Sequence, residues 1–490
     1  MFSVILSPRA RQNLASVTVG LLSSAMMATW GYPAAALPQW ESEDSVIHLT
    51  TEQASWFASV TLMMCIPGSL ISASIYEWLG PRKTMLAFTP ILGLFFMAMA
   101  LASWETVQEA GMAETILLTS RVIQSIIVAL LIPPAWVYTY EICDQSVRGM
   151  MSSFFEIWST VGYLLSYLAG CFLSWDLIAL LLPIVILVPA FTGLLFSPES
   201  PLWLARVNRE NEAKEILERV RCTENEVTAD LEAVRSSQNG KASSACSESL
   251  STFTKKSHLK ATIASSLIFT ANQLTGLATI AIYVVHIFNE SGVGLSPSWS
   301  SVVTGVFRLV FSVIASFLLR GQSRRRMLFV GNTLTAFASA IMGTFFYLQS
   351  LGQDVSWLSW LPLSGLALYM VGYAGAVGPT CWTAALEVLP GPVRSVGFAI
   401  ATTCYSITGF TLSRFFLDMK DTIGLHGVFW FFSCGSLVFI IMVLFYIPET
   451  YGKSTKEVAA YWENTSKPET DKNANVSEGH FQSNTCELQY

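Results

Sequence analysis

Charged residues are scarce in this chain. Only 13% of its 490 residues are Asp, Glu, Lys or Arg, whereas a soluble globular protein carries about 25%. Hydrophobic residues make up 52% of the sequence, and the mean hydropathy is +0.50. This composition excludes an ordinary water-soluble domain and gives no basic surface for nucleic acid. We therefore expect a protein whose main solvent is lipid.

Residues that carry catalytic or metal chemistry are equally sparse. The five histidines are scattered without metal-ligand spacing. The nine cysteines fall mainly in apolar runs, and the loops expected outside offer no pair for a disulfide. Gly452 to Thr455 resembles the end of a phosphate loop, but Ile447 stands where the leading glycine is needed. We expect no enzyme, no metal, no cofactor and no ATP-driven pump.

Long apolar runs dominate what is present. A membrane-spanning helix needs about 20 mostly apolar residues, and in lipid the backbone must satisfy its own hydrogen bonds, which favours helices. Twelve runs meet this requirement: 14–36, 54–76, 84–103, 115–140, 150–173, 177–196, 259–288, 299–319, 327–348, 358–385, 395–416 and 425–447. The sequence predicts an all-α membrane protein with twelve transmembrane helices.

A polar stretch divides these runs into two blocks of six. We predict an N-terminal bundle over 1–196, a cytoplasmic linker with short helices over 197–258, a C-terminal bundle over 259–447 and a cytoplasmic tail over 448–490. Basic residues cluster in alternate loops: Arg9, Arg11, Arg82, Lys83, Arg148, Arg324 to Arg326, Arg394 and Lys453. Because such loops stay inside, we expect both termini in the cytoplasm of a multi-pass plasma-membrane protein.

Three short motifs recur at nearly one spacing. Glu141 to Arg148 resembles Glu387 to Arg394 at an offset of 246 residues, which is 387 minus 141. The loops at Gly80 and Ser323 are 243 residues apart (323 minus 80), and the motifs at Pro198 and Pro448 are 250 apart (448 minus 198). Each pair follows the equivalent span of its block. The sequence therefore indicates two parallel six-helix repeats, a transporter architecture.

These motifs resemble the sugar porters of the major facilitator superfamily over roughly residues 14 to 456. The resemblance is carried by Glu77-Trp-Leu-Gly-Pro-Arg-Lys83, Arg121, Tyr138 to Gly149, Pro198-Glu-Ser-Pro-Leu-Trp-Leu204, Gln273-Leu-Thr-Gly276, Gly378-Pro-Thr-Cys-Trp382, Glu387 to Arg394, and Pro448-Glu-Thr-Tyr-Gly-Lys-Ser454. Two further stretches, 49–56 and 423–430, resemble the insect facilitated trehalose transporters. The resemblance implies that a neutral sugar, trehalose or a hexose, crosses as the two halves expose a central site alternately.

The resemblance also implies a charged gate at the cytoplasmic ends of the spans. The expected gating residues are Arg82, Glu141, Arg148, Arg324, Arg325, Glu387 and Arg394. Such charges could tie the two halves together while the site faces outward. The alternative interpretation is ordinary interfacial charge that contacts lipid headgroups.

The resemblance further implies a substrate site near the middle of the membrane. Its expected residues are Glu156, Asn272, Gln273, Arg308, Tyr373, Trp382 and Tyr405. Sugar hydroxyls favour amide and hydroxyl partners, and sugar rings favour aromatic faces. Gln273 and Trp382 fit the family pattern, whereas Tyr405, Glu156 and Arg308 stand where the family usually has amides.

Glu156 and Arg308 lie deep inside apolar runs, in the fifth and eighth spans. Such a charge costs about 2.5–3.5 kcal/mol to insert and usually has a partner. We predict an ion pair between them that bridges the halves. It could be a fixed bridge, bind a charged organic solute, or involve a proton on Glu156. The first span has no acidic residue between Asn13 and Gln39, which favours facilitated diffusion over proton coupling.

Other expectations remain open. A sugar sensor that binds without transporting is an alternative to a transporter, although the tail after Pro448 is short for signalling. Asn289 begins a glycosylation sequon expected to face outward. We expect a monomer with a small sugar and membrane lipid as its partners.

Overall fold

Long helices account for nearly all of the computed structural model. It describes residues 8–40, 47, 49–109, 111–143, 148–220, 227–228, 255–291, 297–318, 322–353, 355–390, 393–453 and 455–466. The long helices are α1 (Pro8–Trp40), α2 (Thr51–Leu79), α3 (Pro81–Ala100), α4 (Ala113–Ile142), α5 (Arg148–Phe172), α6 (Trp175–Phe196), α7 (Lys256–Leu274 and Leu277–Ser291), α8 (Pro297–Leu318), α9 (Arg324–Ser350), α10 (Leu361–Glu387), α11 (Arg394–Arg414) and α12 (Phe416–Phe445).

Eleven helices in these ranges are long and apolar enough to cross a membrane. The remaining long helix, α5, has 25 residues and spans about 37 Å at 1.5 Å per residue, more than the roughly 30 Å of a hydrocarbon core. The expectation of an all-α membrane protein with twelve membrane helices is therefore confirmed. Most helices extend beyond the predicted apolar runs because their polar ends continue the same hydrogen-bond ladder.

Small residues let the helices of the first block approach closely. A Cβ atom added to Gly162 of α5 would lie 2.1 Å from the carbonyl oxygen of Ser24 in α1. Beside this contact, the hydroxyl groups of Ser23 and Ser159 are 2.5 Å apart. Membrane helices associate through such small residues because lipid supplies no hydrophobic drive between them. The two blocks meet where α2 packs on α11 and α5 packs on α8.

Several backbone irregularities in the described helices were not expected from hydropathy. The seventh span is broken at Gly276, where φ is +89° and an added Cβ would lie 2.5 Å from the ring of Phe432. Five-residue π-helical segments interrupt α6 at Pro183–Leu187 and α10 at Tyr373–Val377. Hydropathy does not register these breaks because the apolar character continues through them.

Short helices lie on one side of the bundle. They are Pro201–Arg206 and Glu210–Val220 in the linker and Thr455–Ser466 after α12. The side-chain amide of Gln12 donates to the carbonyl oxygen of Val220 at 2.8 Å, and the Trp462 indole donates to that of Val388 at 3.1 Å. The start of α1, the linker and the last described helix therefore share one side, which we name the linker side.

The repeated motifs make equivalent contacts on the linker side. Arg82 donates to the carbonyl oxygens of Leu194 and Leu195, both at 2.9 Å, which caps α6. Arg325 donates to the carbonyl oxygens that end α12, at Val443 and Leu444. These arginines satisfy carbonyl groups that have no partner within their own helix. The confirmed six-helix repeat therefore extends to individual hydrogen bonds.

Two carboxylates of the repeated motifs differ in acidity. Burial raises the pKa of Glu199, although the backbone N–H groups of Arg82 and Ser200 partly oppose this. Burial also acts on Glu449, but the Ser323 hydroxyl and three backbone N–H groups outweigh it and lower its pKa. The first repeat has Gly80 in place of that serine, so Glu199 lacks the equivalent hydroxyl.

We predict that Ser323→Ala destabilises the protein in a pH-dependent manner. Ser323 also caps α9 by accepting the Arg326 N–H at 3.3 Å, and losing such a cap costs about 1 kcal/mol. A lowered carboxyl pKa stabilises the fold above the ordinary glutamate pKa of about 4.3 and loses this contribution as pH falls.

The gap in unfolding midpoint between wild type and Ser323→Ala should therefore be larger at pH 7 than at pH 3.5. The matched control is the same substitution in a Glu449→Gln background, where the gap should not vary with pH. If Glu449 is present and the difference in unfolding midpoint is the same at pH 7 and pH 3.5, the role assigned to the Ser323 hydroxyl would be contradicted.

Candidate solute-binding site

A cavity lies between the two blocks of helices. Its lining residues come from both: Met27, Trp30, Cys65, Ser69, Ile132, Trp136, Phe155, Glu156, Ser159 and Tyr163 from the first, and Leu277, Arg308, Tyr373, Trp382, Thr402, Tyr405 and Ser406 from the second. The volume open to the centres of water molecules is about 50 Å³. That is room for about four waters, since each needs at least 10–15 Å³ by this measure. The cavity must widen to take a sugar.

The cavity wall combines aromatic rings with hydroxyl groups. Seven lining side chains are Trp, Phe or Tyr, and the largest are Trp30, Trp136 and Trp382. Among the residues that the structure describes, no Asn or Gln side chain lines the cavity. The ring faces suit the apolar faces of a sugar, and the serine, threonine and tyrosine hydroxyls both donate and accept hydrogen bonds.

An ion pair crosses the cavity wall between α5 and α8. A terminal nitrogen of Arg308 lies 3.0 Å from Oε1 of Glu156, and the two residues are only 7% and 5% exposed. The guanidinium carbon of Arg308 also lies 4.8 Å from the ring centre of Tyr163 and 6.0 Å from that of Tyr373. The predicted pair is therefore present, and it joins the two blocks.

Five of the seven predicted substrate residues line the cavity: Glu156, Arg308, Tyr373, Trp382 and Tyr405. Asn272 lies behind the wall, where its amide nitrogen is 3.4 Å from the Tyr373 hydroxyl. Gln273 faces α11, because a Cβ added to Gly409 would lie 2.4 Å from its amide nitrogen. The two amides adjoin the Gly276 break in α7 and do not face the solute space in this conformation.

Two tryptophans stack between the blocks. Trp136 of α4 and Trp382 of α10 have ring centres 5.3 Å apart and ring planes only 2° from parallel. Each residue precedes its motif glutamate by five positions, and their offset of 246 residues (382 minus 136) equals that of Glu141 and Glu387. At 1.5 Å per helical residue, the stack lies about 7 Å from those glutamates, at the linker-side end of the cavity.

Trp136 was not predicted as a cavity residue from the sequence, although a signal was available. The same 246-residue offset that revealed the repeat places a tryptophan in both copies. Tyr163 was missed as well, since a tyrosine in an apolar helix gives no sign of the cation beside it. A tertiary contact is needed to bring it to Arg308.

Contacts between the blocks occur on both sides of the cavity. On the linker side, beyond the tryptophan stack, the guanidinium carbon of Arg394 lies 4.9 Å from the ring centre of Tyr140. On the far side, that of Arg414 lies 5.4 Å from the ring centre of Trp56, and the Tyr167 hydroxyl donates to the carbonyl oxygen of Ala281 at 3.2 Å. The structure thus has the blocks in contact above and below the cavity.

Three of the predicted gating residues, Glu141, Glu387 and Arg324, lie in two networks, one in each block. Glu141 accepts hydrogen bonds from Tyr76, Ser200 and Arg206. Glu387 accepts from Thr450 at 2.7 Å and pairs with Arg324 at 3.3 Å. Sequence reasoning missed Tyr76, Ser200 and Arg206, although Ser200 and Thr450 occupy the same position of a repeated motif.

The other gating residues have different surroundings. Arg82 and Arg325 cap helices, as described above, while Arg394 contacts the opposite block through Tyr140. Arg148 begins α5, but its side chain lies outside the described part of the structure. The described networks therefore fix each block internally, and Arg394 joins one block to the other.

Arg121 is buried inside the first block and does not line the cavity. It is 1% exposed and donates to the carbonyl oxygens of Thr29 at 2.6 Å and Phe57 at 3.3 Å. Its guanidinium carbon also lies 5.0 Å from the Phe57 ring centre. These contacts tie α4 to α1 and α2.

Among the described residues, no cluster of three His, Cys, Asp or Glu side chains could hold a metal ion.

Known proteins share this arrangement of helices. A family profile described as "Sugar (and other) transporter" matches residues 15–462. The chain belongs to this sugar transporter family. Its fold is that of the major facilitator superfamily: a structure of the proton:xylose symporter XylE bound to 6-bromo-6-deoxy-D-glucose superimposes with a TM-score of 0.75 at 20% identity, covering 91% of this chain and 99% of that one. An inward-open xylose transporter XylE from E. coli gives 0.68 at 18% identity, covering 92% and 99%.

Similar members of the family include insect proteins. The facilitated trehalose transporter Tret1 of Anopheles gambiae is 28% identical over 452 residues, which cover 91% of this chain and 55% of that protein. The Tret1 of Polypedilum vanderplanki is 27% identical over 450 residues, covering 91% and 87%. The chain thus spans about half the length of the first of these relatives and most of the second.

We predict that Glu156→Gln and Arg308→Gln each destabilise the protein more than the two substitutions together. Breaking a buried pair leaves an uncompensated charge and costs about 3–5 kcal/mol, whereas replacing both partners is often nearly neutral. Unfolding midpoints of the purified variants measure the effect.

The exposed pair Arg209–Glu212, with side chains 45% and 51% exposed, provides the control. Removing either of its partners should change stability by less than about 1 kcal/mol. Losses at Glu156 and Arg308 that simply add in the double variant would contradict the coupling.

Proposed function

We propose that this protein is a secondary transporter that moves a neutral sugar by facilitated diffusion. The observation that carries the proposal is the cavity between two repeats, with aromatic and hydroxyl walls and one ion pair whose charges compensate each other. Substrates of repeat-built transporters bind at this position near the membrane midplane. The cavity has no net charge when Glu156 and Arg308 are both ionised, which suits an uncharged solute.

Trehalose or a hexose is the proposed substrate. The names of the insect relatives support trehalose, and the XylE structure supports a pyranose ring in this fold. Within the site, Glu156, Arg308, Tyr373, Trp382 and Tyr405 are the proposed first contacts. Asn272 and Gln273 would join them as the cavity widens beside the Gly276 break, since both amides lie immediately behind its wall.

Passive transport is favoured over proton coupling by two features. The described part of α1 contains no Asp or Glu, and the nearby buried cation Arg121 bonds to backbone carbonyls. Glu156 is already paired with Arg308 at 3.0 Å, so its carboxylate has a counter-charge within the protein. A charged-solute carrier and a non-transporting sensor remain the alternatives that the flux measurement below separates.

Alternating access would arise from changes at the linker side. We propose that Glu141, Arg148, Glu387 and Arg394, with Arg82, Arg324 and Arg325, control this side. The networks of Glu141 and Glu387 keep each block rigid, and the contacts Arg394–Tyr140 and Trp136–Trp382 close the space between the blocks. Inward opening requires these two contacts to separate.

The proposed orientation places the linker side in the cytoplasm of a plasma-membrane protein. The clustering of Arg and Lys on this side supports it. Asn289 lies exposed near the opposite end of α7, so its sequon would face the exterior. We propose a monomer as the transporting unit, because one chain supplies both repeats and the whole cavity.

We predict saturable uptake of labelled trehalose or glucose into cells that express the protein. An uncoupler should leave the initial rate unchanged, because no proton moves with the sugar. The control is the Glu156→Gln/Arg308→Gln variant, which retains the fold but alters the cavity wall. Uptake that stops with the uncoupler would establish proton coupling, and binding without uptake would establish a sensor.

We predict that Trp136→Ala opens the linker side more often. A stacked aromatic pair contributes about 0.5–1.5 kcal/mol, so its loss should shift the population by about two- to tenfold. Cys65 lines the cavity and serves as a native reporter. Its labelling by a membrane-impermeant maleimide applied from the linker side should accelerate by that factor.

Trp30→Ala is the matched control for this experiment. Trp30 lines the same cavity but stacks on no ring of the second block within the described residues. Its loss creates similar space without breaking the contact between the blocks. Equal acceleration in both variants would show that cavity volume, and not the stack, governs access.

A further inference from the structure

Arg308 occupies a cradle made of one carboxylate and two aromatic rings. Glu156 accepts a hydrogen bond from its guanidinium group at 3.0 Å, and the rings of Tyr163 and Tyr373 lie 4.8 Å and 6.0 Å from its central carbon. A carboxylate beside aromatic faces is the chemistry that recognises organic cations in proteins. Here the bound cation is the protein's own side chain.

The cradle faces the solute cavity. Glu156, Tyr163, Arg308 and Tyr373 all belong to its lining, and Glu156 and Arg308 are almost fully buried. The Nε group of Arg308 is buried and has no hydrogen-bond partner among the described residues, so one donor of the guanidinium group remains uncommitted. Any solute in the cavity would therefore contact a site whose positive charge is already provided by Arg308.

We propose that Arg308 is a specificity-determining residue that fills an organic-cation site and thereby restricts the cavity to uncharged solutes. A second cation would lie close to the guanidinium group in a medium of low dielectric constant, where like charges repel strongly. An anion would be repelled by the Glu156 carboxylate in the same way. This inference rests on the proposed function in one respect, namely that this cavity is where the solute binds.

Removing Arg308 should convert the cradle into a binding site for a free organic cation. Arg308→Ala leaves Glu156 without its partner and the two tyrosine rings without the group they flank. Methylguanidinium has the charge and shape of the missing side-chain head. It should raise the unfolding midpoint of the purified Arg308→Ala variant, and choline, a quaternary ammonium ion, should do so as well.

The double variant Glu156→Gln/Arg308→Ala is the matched control. It has the same space and the same rings but no carboxylate. Since a hydrogen bond to a charged group contributes about 1.5–3 kcal/mol, methylguanidinium should bind Arg308→Ala at least about tenfold more tightly than the double variant. Sodium chloride at equal concentration controls for ionic strength, and urea controls for a planar but neutral molecule.

The outcomes decide the proposal. The expected result is a response to both cations in Arg308→Ala, with little or none in the double variant and in the wild type. Equal responses in the single and double variants, or a wild-type response as large as that of Arg308→Ala, would overturn it. If Arg308→Ala is recovered folded only when methylguanidinium is present throughout purification, the proposal is supported, and failure to recover it even then counts against it.

This binding experiment is separate from sugar transport. Cation binding by Arg308→Ala together with no sugar flux in the wild type would reject the proposed function and retain the cradle. Sugar flux in the wild type with no cation binding by the variant would reject the cradle alone. If Arg308 had a merely structural role, a neutral cavity filler such as urea would rescue the variant as well as methylguanidinium does.

Discussion

The Glu156–Arg308 ion pair couples the two halves of the molecule, because opposite charges buried in a membrane are costly to separate. It links α5 to α8 at the level of the cavity. Separating it would leave two uncompensated charges, each with a desolvation penalty of several kcal/mol. The contact between Trp136 and Trp382 is weaker, at about 0.5–1.5 kcal/mol beyond its buried area. We therefore expect the blocks to move about the α5–α8 contact while the aromatic contact opens.

The ion pair also defines the chemistry of the cavity. Glu156 and Arg308 compensate one another, so the site has two strongly polar groups but no net charge. Rings and hydroxyl groups form the rest of the wall. This combination differs from a sugar site lined by amides. Selectivity in the proposed site would therefore depend on the ion pair and on the tyrosines beside it.

The two repeats are alike where they organise the helix ends and different where they line the cavity. Arg82 and Arg325 cap equivalent helices, and Ser200 and Thr450 both donate to a motif glutamate. The difference between Gly80 and Ser323 changes the acidity of the neighbouring carboxylates. In the cavity, the first repeat supplies the acid of the ion pair and the second supplies the base. The charge distribution of the cavity thus depends on the asymmetry between two copies of one scaffold.

The twelve helices, the division into two repeats and the buried ion pair could all be predicted from the amino-acid sequence. These followed from simple constraints: apolar length, a spacing of motifs repeated along the chain, and the cost of an unpaired charge in lipid. Helix packing was needed to establish that Asn272 and Gln273 do not line the cavity, that Trp136 stacks on Trp382, and that Tyr163 and Tyr373 flank Arg308. Those contacts depend on how far each helix is rotated about its own axis and on the break at Gly276. The hydropathy of a segment does not change with this rotation, so it cannot predict which side chains face the cavity.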